Sequence, residues 1–359
     1  MRRKMRKYYL HIMHNEKFIN DFTKFINCNF EDKEHLFLII NGISEEILKI
    51  NKSTNVIVYK SKDKNIIIEY INIINFLKKY SYGSKKIYIH GIFGKYLLLF
   101  FFIFRNYLKK SYWIIWGGDL YSYRGRKKGI LRKIYYKIEK YVKGNFKGYI
   151  TLMKGDYMLA QQWYGARGKL LYSFTYPSNL YKNIKIEQSK KEYLAIQIGN
   201  SAIFTNNHYE IFDKLEKYKE KNIKLYCPLS YGDKEYAKKI IERGKELFGE
   251  KFIPMTEFLE YSKYLEFLSE IDIAIFAHDR QQAFGNITSL LSMKKTIYIK
   301  EEISTYETLI NLGINLKSFD KFENLEVLDE ELLENNKRII KEYFSEKKLK
   351  EQWENIFSD

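Results

Sequence analysis

The sequence predicts an α/β fold of two doubly wound, Rossmann-like domains, and three observations predict it. Short apolar runs rich in β-branched and aromatic residues alternate with longer segments of helical periodicity. Several of these runs stop at glycine or a polar residue, as parallel strands do where their carboxyl ends open onto ligand-binding loops. The alternation also restarts after an aperiodic, lysine-rich stretch, Leu180–Lys191, which reads as a linker. With 359 residues the chain can build two cores. The expected division is 1–180, 181–335, and a helical segment 336–359 that can pack back toward the first domain.

In the first half, Tyr8–Met13 reads as a strand followed by His14, Asn15, Glu16 and a helix to Phe25. His35–Ile40, Val56–Tyr59 and Ile66–Tyr70 read as strands, and Lys86–His90 as another that stops at His90-Gly91. A helix is expected over Tyr96–Leu108. Tyr112–Ile115 then forms a buried strand that runs into Trp116-Gly117-Gly118-Asp119-Leu120-Tyr121. The glycines permit a tight turn or close approach of a ligand, and Asp119 is delivered to the loop. A plain Gly-Gly-Asp turn reads equally well from pattern alone. Gly148–Leu152 and Leu170–Phe174 are strands flanking a helix over Asp156–Tyr164.

In the second half, Tyr193–Ile198 reads as a strand ending in Gly199-Asn200-Ser201, and a helix runs from His208 to Tyr218. Ile223–Cys227 is a strand ending at Pro228, Lys234–Phe248 a helix, and Thr256–Ser269 another. Asp272–Phe276 is a strand that precedes Arg280-Gln281-Gln282, then come a helix over Phe284–Met293 and a strand over Thr296–Ile299. A last helix is expected over Asn335–Phe357.

Charge divides the halves. The net charge is +18; residues 1–180 hold 34 Lys/Arg against 12 Asp/Glu, whereas residues 181–359 hold 28 against 32. Such asymmetry suits a polyanion or an anionic membrane on one side. Residues 124–147 interleave Arg126, Lys127, Lys128, Arg132 and Lys133 with apolar residues at helical spacing, which fits a helix lying on an anionic bilayer. A packed helix with a solvated basic face fits as well, and no nucleic-acid motif accompanies the charge. The run Tyr96–Phe104 contains Leu97, Leu98, Phe100 and Phe101 and is too short to span a bilayer. Those four residues are candidates for membrane contact. The two cysteines, Cys28 and Cys227, match no metal or redox spacing.

The chemistry lies at the strand ends. Gly199-Asn200-Ser201 offers backbone and hydroxyl donors that suit a phosphate, yet it is neither G-x-G-x-x-G nor a P-loop. Arg280 adds a bidentate fork for a diphosphate. Asn286 and Thr288, in the first turn of the next helix, offer further hydrogen bonds. No Asp-x-Asp occurs, so a metal-independent transfer, with no cofactor, is expected. A hydroxyl acceptor then needs a base, for which Asp119 and His90 are the candidates.

Two such domains joined by a linker form the architecture of GT-B glycosyltransferases, whose active site lies in the interdomain cleft. Trp116-Gly117-Gly118-Asp119-Leu120-Tyr121, Gly199-Asn200-Ser201 with Asn206 and His208, Pro228 with Tyr231, and Arg280-Gln281-Gln282 with Gly285 together extend the likeness. The chain resembles the TDP-N-acetylfucosamine:lipid II N-acetylfucosaminyltransferase family of enterobacterial common antigen synthesis, glycosyltransferase family 56. The resemblance implies an inverting enzyme with a dTDP-linked 4-acetamido-4,6-dideoxyhexose donor and an undecaprenyl-diphosphate-linked acceptor. It also implies a peripheral protein on the cytoplasmic face of the inner membrane, with no nucleic-acid partner expected. The donor site would comprise Gly199, Asn200, Ser201, Asn206, His208, Pro228, Tyr231, Arg280, Gln281, Gln282, Gly285, Asn286 and Thr288. Trp116, Gly117, Gly118 and Tyr121 would face the acceptor. Ala202-Ile203 stands where the family has Gly-Asp, and Ala283-Phe284-Gly285-Asn286 where the family has a glycine first and a threonine last. Another nucleotide sugar for O-antigen or capsule, or a noncatalytic membrane- or nucleic-acid-binding role for the basic face, are the rival readings.

Overall fold

The computed structural model describes residues 7–16, 18–40, 54–60, 65–126, 128–183 and 191–359. They divide into two compact units: the described residues up to Ser178 with Leu349–Asp359, and Asn179–Lys348.

In the first unit, the strands are β1 (Tyr8–His14), β2 (His35–Ile40), β3 (Val56–Tyr59), β4 (Ser84–His90), β5 (Ser111–Ile114), β6 (Gly148–Ile150) and β7 (Lys169–Leu171). They form one parallel sheet in the order β3-β2-β1-β4-β5-β6-β7. The helices are α1 (Ile19–Asn29), α2 (Ile66–Ser81), α3 (Lys95–Ile103), the single turn α4 (Gly117–Leu120), α5 (Ile130–Gly144) and α6 (Lys154–Tyr164). Residues come to opposite sheet faces in alternation. Leu10, Ile12, Ile87, Ile89 and Trp113 join one core with α2, α3 and α5 residues. On the other face, His11, Phe37 and Tyr88 pack against Phe22 of α1 and the C-terminal residues Trp353 and Phe357.

Three expectations fail here. Ile66–Tyr70 is helical, because Asn65 caps the first turn by accepting from the Ile67 amide. Its buried positions Glu69, Ile73, Leu77 and Ser81 then recur every four residues. The apolar run of α3 is core: Leu97, Leu98, Phe100 and Phe101 are all buried, so none is available to a membrane. The basic segment becomes helical only at Ile130, and Arg126 turns inward to pair with Glu139 at 3.0 Å. Lys127 lies outside the described residues.

The second unit repeats the design. Its strands are β8 (Leu194–Ile198), β9 (Ile223–Pro228), β10 (Phe252–Met255), β11 (Ile273–Phe276), β12 (Thr296–Ile299) and β13 (Lys317–Ser318), in the parallel order β10-β9-β8-β11-β12-β13. The helices are α7 (His208–Leu215), α8 (Lys234–Phe248), α9 (Tyr261–Glu270), α10 (Phe284–Ser292), α11 (Ser304–Asn311) and α12 (Glu330–Tyr343). The long terminal helix expected from sequence is two helices, α12 and α13 (Glu346–Ser358). α12 packs on α10, whereas α13 from Leu349 onward belongs to the first unit. There Trp353 donates to the Thr175 carbonyl at 3.1 Å, and Gln352 accepts from the Phe174 amide at 3.1 Å.

Candidate active site

Strand order locates the candidate crevices. In a doubly wound sheet a ligand binds where the order reverses, outside the carboxyl ends of the two central strands. The reversal falls between β1 and β4 in the first unit and between β8 and β11 in the second. Those strand ends deliver His14, His90-Gly91, Gly199-Asn200 and, past Ala277, His278–Gln282.

The second crevice is built of amides and hydroxyls around Asn206. Its Oδ1 accepts from the Asn200 amide at 2.9 Å and lies 3.2 Å from His278 Nε2, while its Nδ2 donates to Ser201 Oγ and the Ile203 carbonyl. Gly199 has φ 59°, and a Cβ there would stand 2.8 Å from Asn206 Oδ1 and 3.0 Å from His208 Nε2, so only glycine fits. Asn206 and His208 are therefore buried supports of the loop and lie behind its surface. Burial holds His208 down to about 4 and His278 to about 3, so both rings are neutral at pH 7. His208 Nδ1 meets the Tyr236 hydroxyl at 3.1 Å, and its Nε2 has no partner.

In front of this frame, the half-exposed Tyr231 accepts from Asn200 Nδ2 at 2.7 Å, and Gln282 accepts from Thr205 at 2.9 Å. Arg280 is partly buried, and its charge acts on both Tyr231 and His278. Gln281, Gly285 and Asn286 are likewise partly exposed. α10 begins here with no acid in its first turn and no side-chain cap, leaving its positive end uncompensated. Thr288 does not contribute as expected: it is buried, and its hydroxyl bonds the Phe284 and Gly285 carbonyls at 3.2 and 3.1 Å. Pro228 is the buried end of β9, facing Met255 across the sheet. Ala283 sits in left-handed conformation at φ 58°, a strained choice where a glycine would be relaxed. The exposed ring of Phe204, beside the loop, has no signal in sequence beyond being aromatic.

The first crevice is aromatic. Asp119 lies at its back, only 2% exposed. Its Oδ2 accepts from the Ile92 amide at 2.7 Å and the Trp113 indole at 2.6 Å, and its Oδ1 accepts from the Trp116 amide at 2.9 Å. It is the carboxylate that caps α4 and ties the loop after β4 to the loop after β5. Burial pushes it up to about 6, against the pull of Lys143 and those donors. Lys143, itself buried, donates to the Asp119 carbonyl at 2.7 Å and to Glu139 at 2.8 Å. With both oxygens engaged, the geometry suits Asp119 to organising the loop. Gly117 and Tyr121 are also buried, and the Tyr121 hydroxyl turns inward to Asp156. Trp116 and Gly118 remain partly or fully exposed.

His90 is fully buried in a row that pattern reading does not reveal, since its members come from separate strands. Trp116 Nε1 donates to the Tyr176 hydroxyl at 2.9 Å, which meets His90 Nδ1 at 2.8 Å. His90 Nε2 meets His11 Nδ1 at 3.1 Å, and His11 Nε2 meets His35 Nδ1 at 3.2 Å. Burial depresses all three rings below 6.5, His35 to about 3. Both nitrogens of His90 are thus engaged. At the mouth of the crevice, Phe93 packs on Trp116 and on His14, and Phe18 packs on Trp116 and Tyr176.

Two Rossmann-like units with crevices at their switch points make up the GT-B fold. Solved structures share the fold across nearly the whole chain. Anabaena HepE in complex with UDP and glucose is 12% identical, with 97% of this chain and 99% of that chain covered at a TM-score of 0.69. A glycosyltransferase from Rickettsia africae is 16% identical, covering 98% of each chain at 0.64, and sucrose-phosphate synthase from Thermosynechococcus elongatus is 8% identical, covering 98% of each at 0.68. The family described as 4-alpha-L-fucosyltransferase, glycosyl transferase group 56, matches residues 11–358, and the chain belongs to it.

Proposed function

We propose that this glycosyltransferase moves a 4-acetamido-4,6-dideoxyhexose of the N-acetylfucosamine type from a dTDP-sugar to an undecaprenyl-diphosphate-linked saccharide, with inversion at the anomeric carbon. Membership of family 56 is the observation that carries the reading. The second crevice supports it: an uncapped helix end and Arg280 beside Tyr231 suit the leaving diphosphate, whose charge they stabilise without a metal ion. The first crevice, lined by Trp116, Phe93 and Phe18, offers flat apolar faces on which a saccharide ring stacks.

A peripheral position on an anionic inner-membrane surface, on the cytoplasmic side, belongs to the same reading. Of the contact residues expected, Lys128, Arg132 and Lys133 remain, and the apolar ones differ. Ile130, Leu131 and Ile134 of α5 are 74, 78 and 54% exposed, and Lys128, Arg132 and Lys133 stand exposed among them. Ile66, Ile67 and Ile71 at the start of α2 are exposed as well, and α2 and α5 both pack on α3. Apolar side chains ringed by lysine and arginine suit insertion among anionic headgroups. Among the described residues, no helix is long and apolar enough to cross a membrane.

A thermal-shift panel of nucleoside diphosphates and nucleotide sugars tests the donor. Stabilisation by dTDP species alone is expected, because a ligand stabilises the state it binds. Stabilisation by UDP- or GDP-sugars alone would assign another donor.

A further inference from the structure

We infer that His14 is the general base that deprotonates the acceptor hydroxyl, an assignment that rests on the inverting transfer proposed above. His14 ends β1, on one side of the switch point of the first unit. Of the two histidines at the switch-point strand ends of the first unit, it is the one with a ring nitrogen unspent: Nε2 is buried and has no hydrogen-bond partner, whereas both nitrogens of His90 are engaged. A buried ring nitrogen left unpaired costs stability, so its retention at a strand end points to a ligand group that completes it.

The other side of the ring determines which nitrogen holds the lone pair. Nδ1 lies 3.4 Å from the Tyr96 hydroxyl, whose oxygen can accept the ring proton. In the tautomer that puts the ring proton on Nδ1 toward the Tyr96 oxygen, Nε2 presents its lone pair. Burial holds the ring to about 4, so it is neutral at pH 7 and able to take up a proton. An aromatic ring on a loop packs beside His14: Phe93 lies edge-on to it at 5.5 Å and against Trp116 at 5.3 Å. Phe93 follows Gly91, whose φ is 74°. An acceptor sugar stacked on Trp116 takes the place of the Phe93 ring and brings its hydroxyl to Nε2.

In the reaction, the acceptor oxygen forms its bond to the anomeric carbon while the bond from that carbon to the phosphate oxygen breaks. The nucleoside diphosphate leaves with the electron pair, and the hydroxyl proton passes to His14 Nε2.

The test compares wild type, His14→Asn, His14→Ala and Glu16→Gln in transfer assays. The donor is the dTDP-sugar named above, or whichever nucleotide sugar stabilises the wild type, and the acceptor is a detergent-solubilised polyprenyl-diphosphate disaccharide. Both His14 variants are expected to lose at least about 100-fold in kcat, with acceptor KM within threefold and nucleotide-induced thermal shifts unchanged. Added imidazole is expected to restore His14→Ala, and Glu16→Gln to keep its rate. An inverted product formed by His14→Asn at more than a third of the wild-type rate overturns the assignment alone. Loss in His14→Ala that imidazole does not restore, in a protein that still binds nucleotide, marks a structural role and also overturns it. A wild-type product with retained configuration overturns the inverting reading, and His14 as this base with it.

Discussion

The two units share a topology and differ in what they place at its switch point. In the second, Asn206, Ser201 and Asn200 form a hydrogen-bonded frame under a half-exposed rim of Tyr231, Gln282 and Arg280. In the first, aromatic rings form the rim, and the polar groups, Asp119 and the His90–His11–His35 row, are sunk behind it. The switch point offers the place for a ligand, and the side chains that lie there decide the chemistry it suits. Dipoles and a guanidinium suit an anion, while stacked rings suit a sugar face.

Acid sharpens this contrast most. All six histidines of the chain are depressed by burial: four in the first unit, and His208 and His278 in the second. A depressed histidine contributes stability that is complete above its unfolded value of 6.5 and is lost as pH falls toward the folded value, by up to about 1.4 kcal/mol per pH unit each. Asp119, raised to about 6, works the other way as pH falls, with one proton against four. Between pH 6.5 and 4.5 the first unit is expected to lose protection sooner and more steeply, read by hydrogen exchange of peptides from β1 and β4 against those from β8 and β11. Equal loss would break the comparison.

Asp119→Ala is expected to cost roughly 3 kcal/mol or more, since it orphans three N–H donors, two of them in fully buried bonds. Urea unfolding followed by tryptophan fluorescence measures this, and nucleotide binding by the second unit should survive. Arg280→Ala is the converse: affinity for the nucleoside diphosphate falls about tenfold or more by calorimetry, with unfolding unchanged within about 0.5 kcal/mol. Replacing Ile130, Leu131 and Ile134 together by serine should leave nucleotide binding and transfer in detergent intact while weakening flotation with anionic vesicles. Smallest of all, Ala283→Gly should stabilise by about 1 kcal/mol, relieving the left-handed alanine.

Much of the fold was legible in the sequence because strand periodicity and glycine endings are local signals. His35–Ile40, Val56–Tyr59, Lys234–Phe248 and Thr296–Ile299 lie where the pattern places them. Ile66–Tyr70 misled because three consecutive isoleucines satisfy strand propensity, while the decisive Asn65 cap is a single side chain. Leu97–Phe101 misled because hydrophobicity does not say whether protein or lipid does the burying. At the site, the rim residues Tyr231 and Arg280–Gln282 could be read from strand endings. The roles of Asn206, His208 and Asp119 could not, since they depend on which neighbours occupy each polar atom. The histidine row was beyond reach, because His11, His35 and His90 meet only through strand register.

One consequence follows from α13. Its residues from Leu349 onward complete the aromatic face of the first unit, placing Trp353 against Phe22 and His90 and setting Asp359 to accept from Tyr112. During synthesis, which proceeds from the amino end, the second unit has its whole sequence before the first does. The part of the protein that is made first therefore finishes folding only after the second has its whole sequence, and the sheet face that it shares with α1 is completed once Leu349–Asp359 have been made.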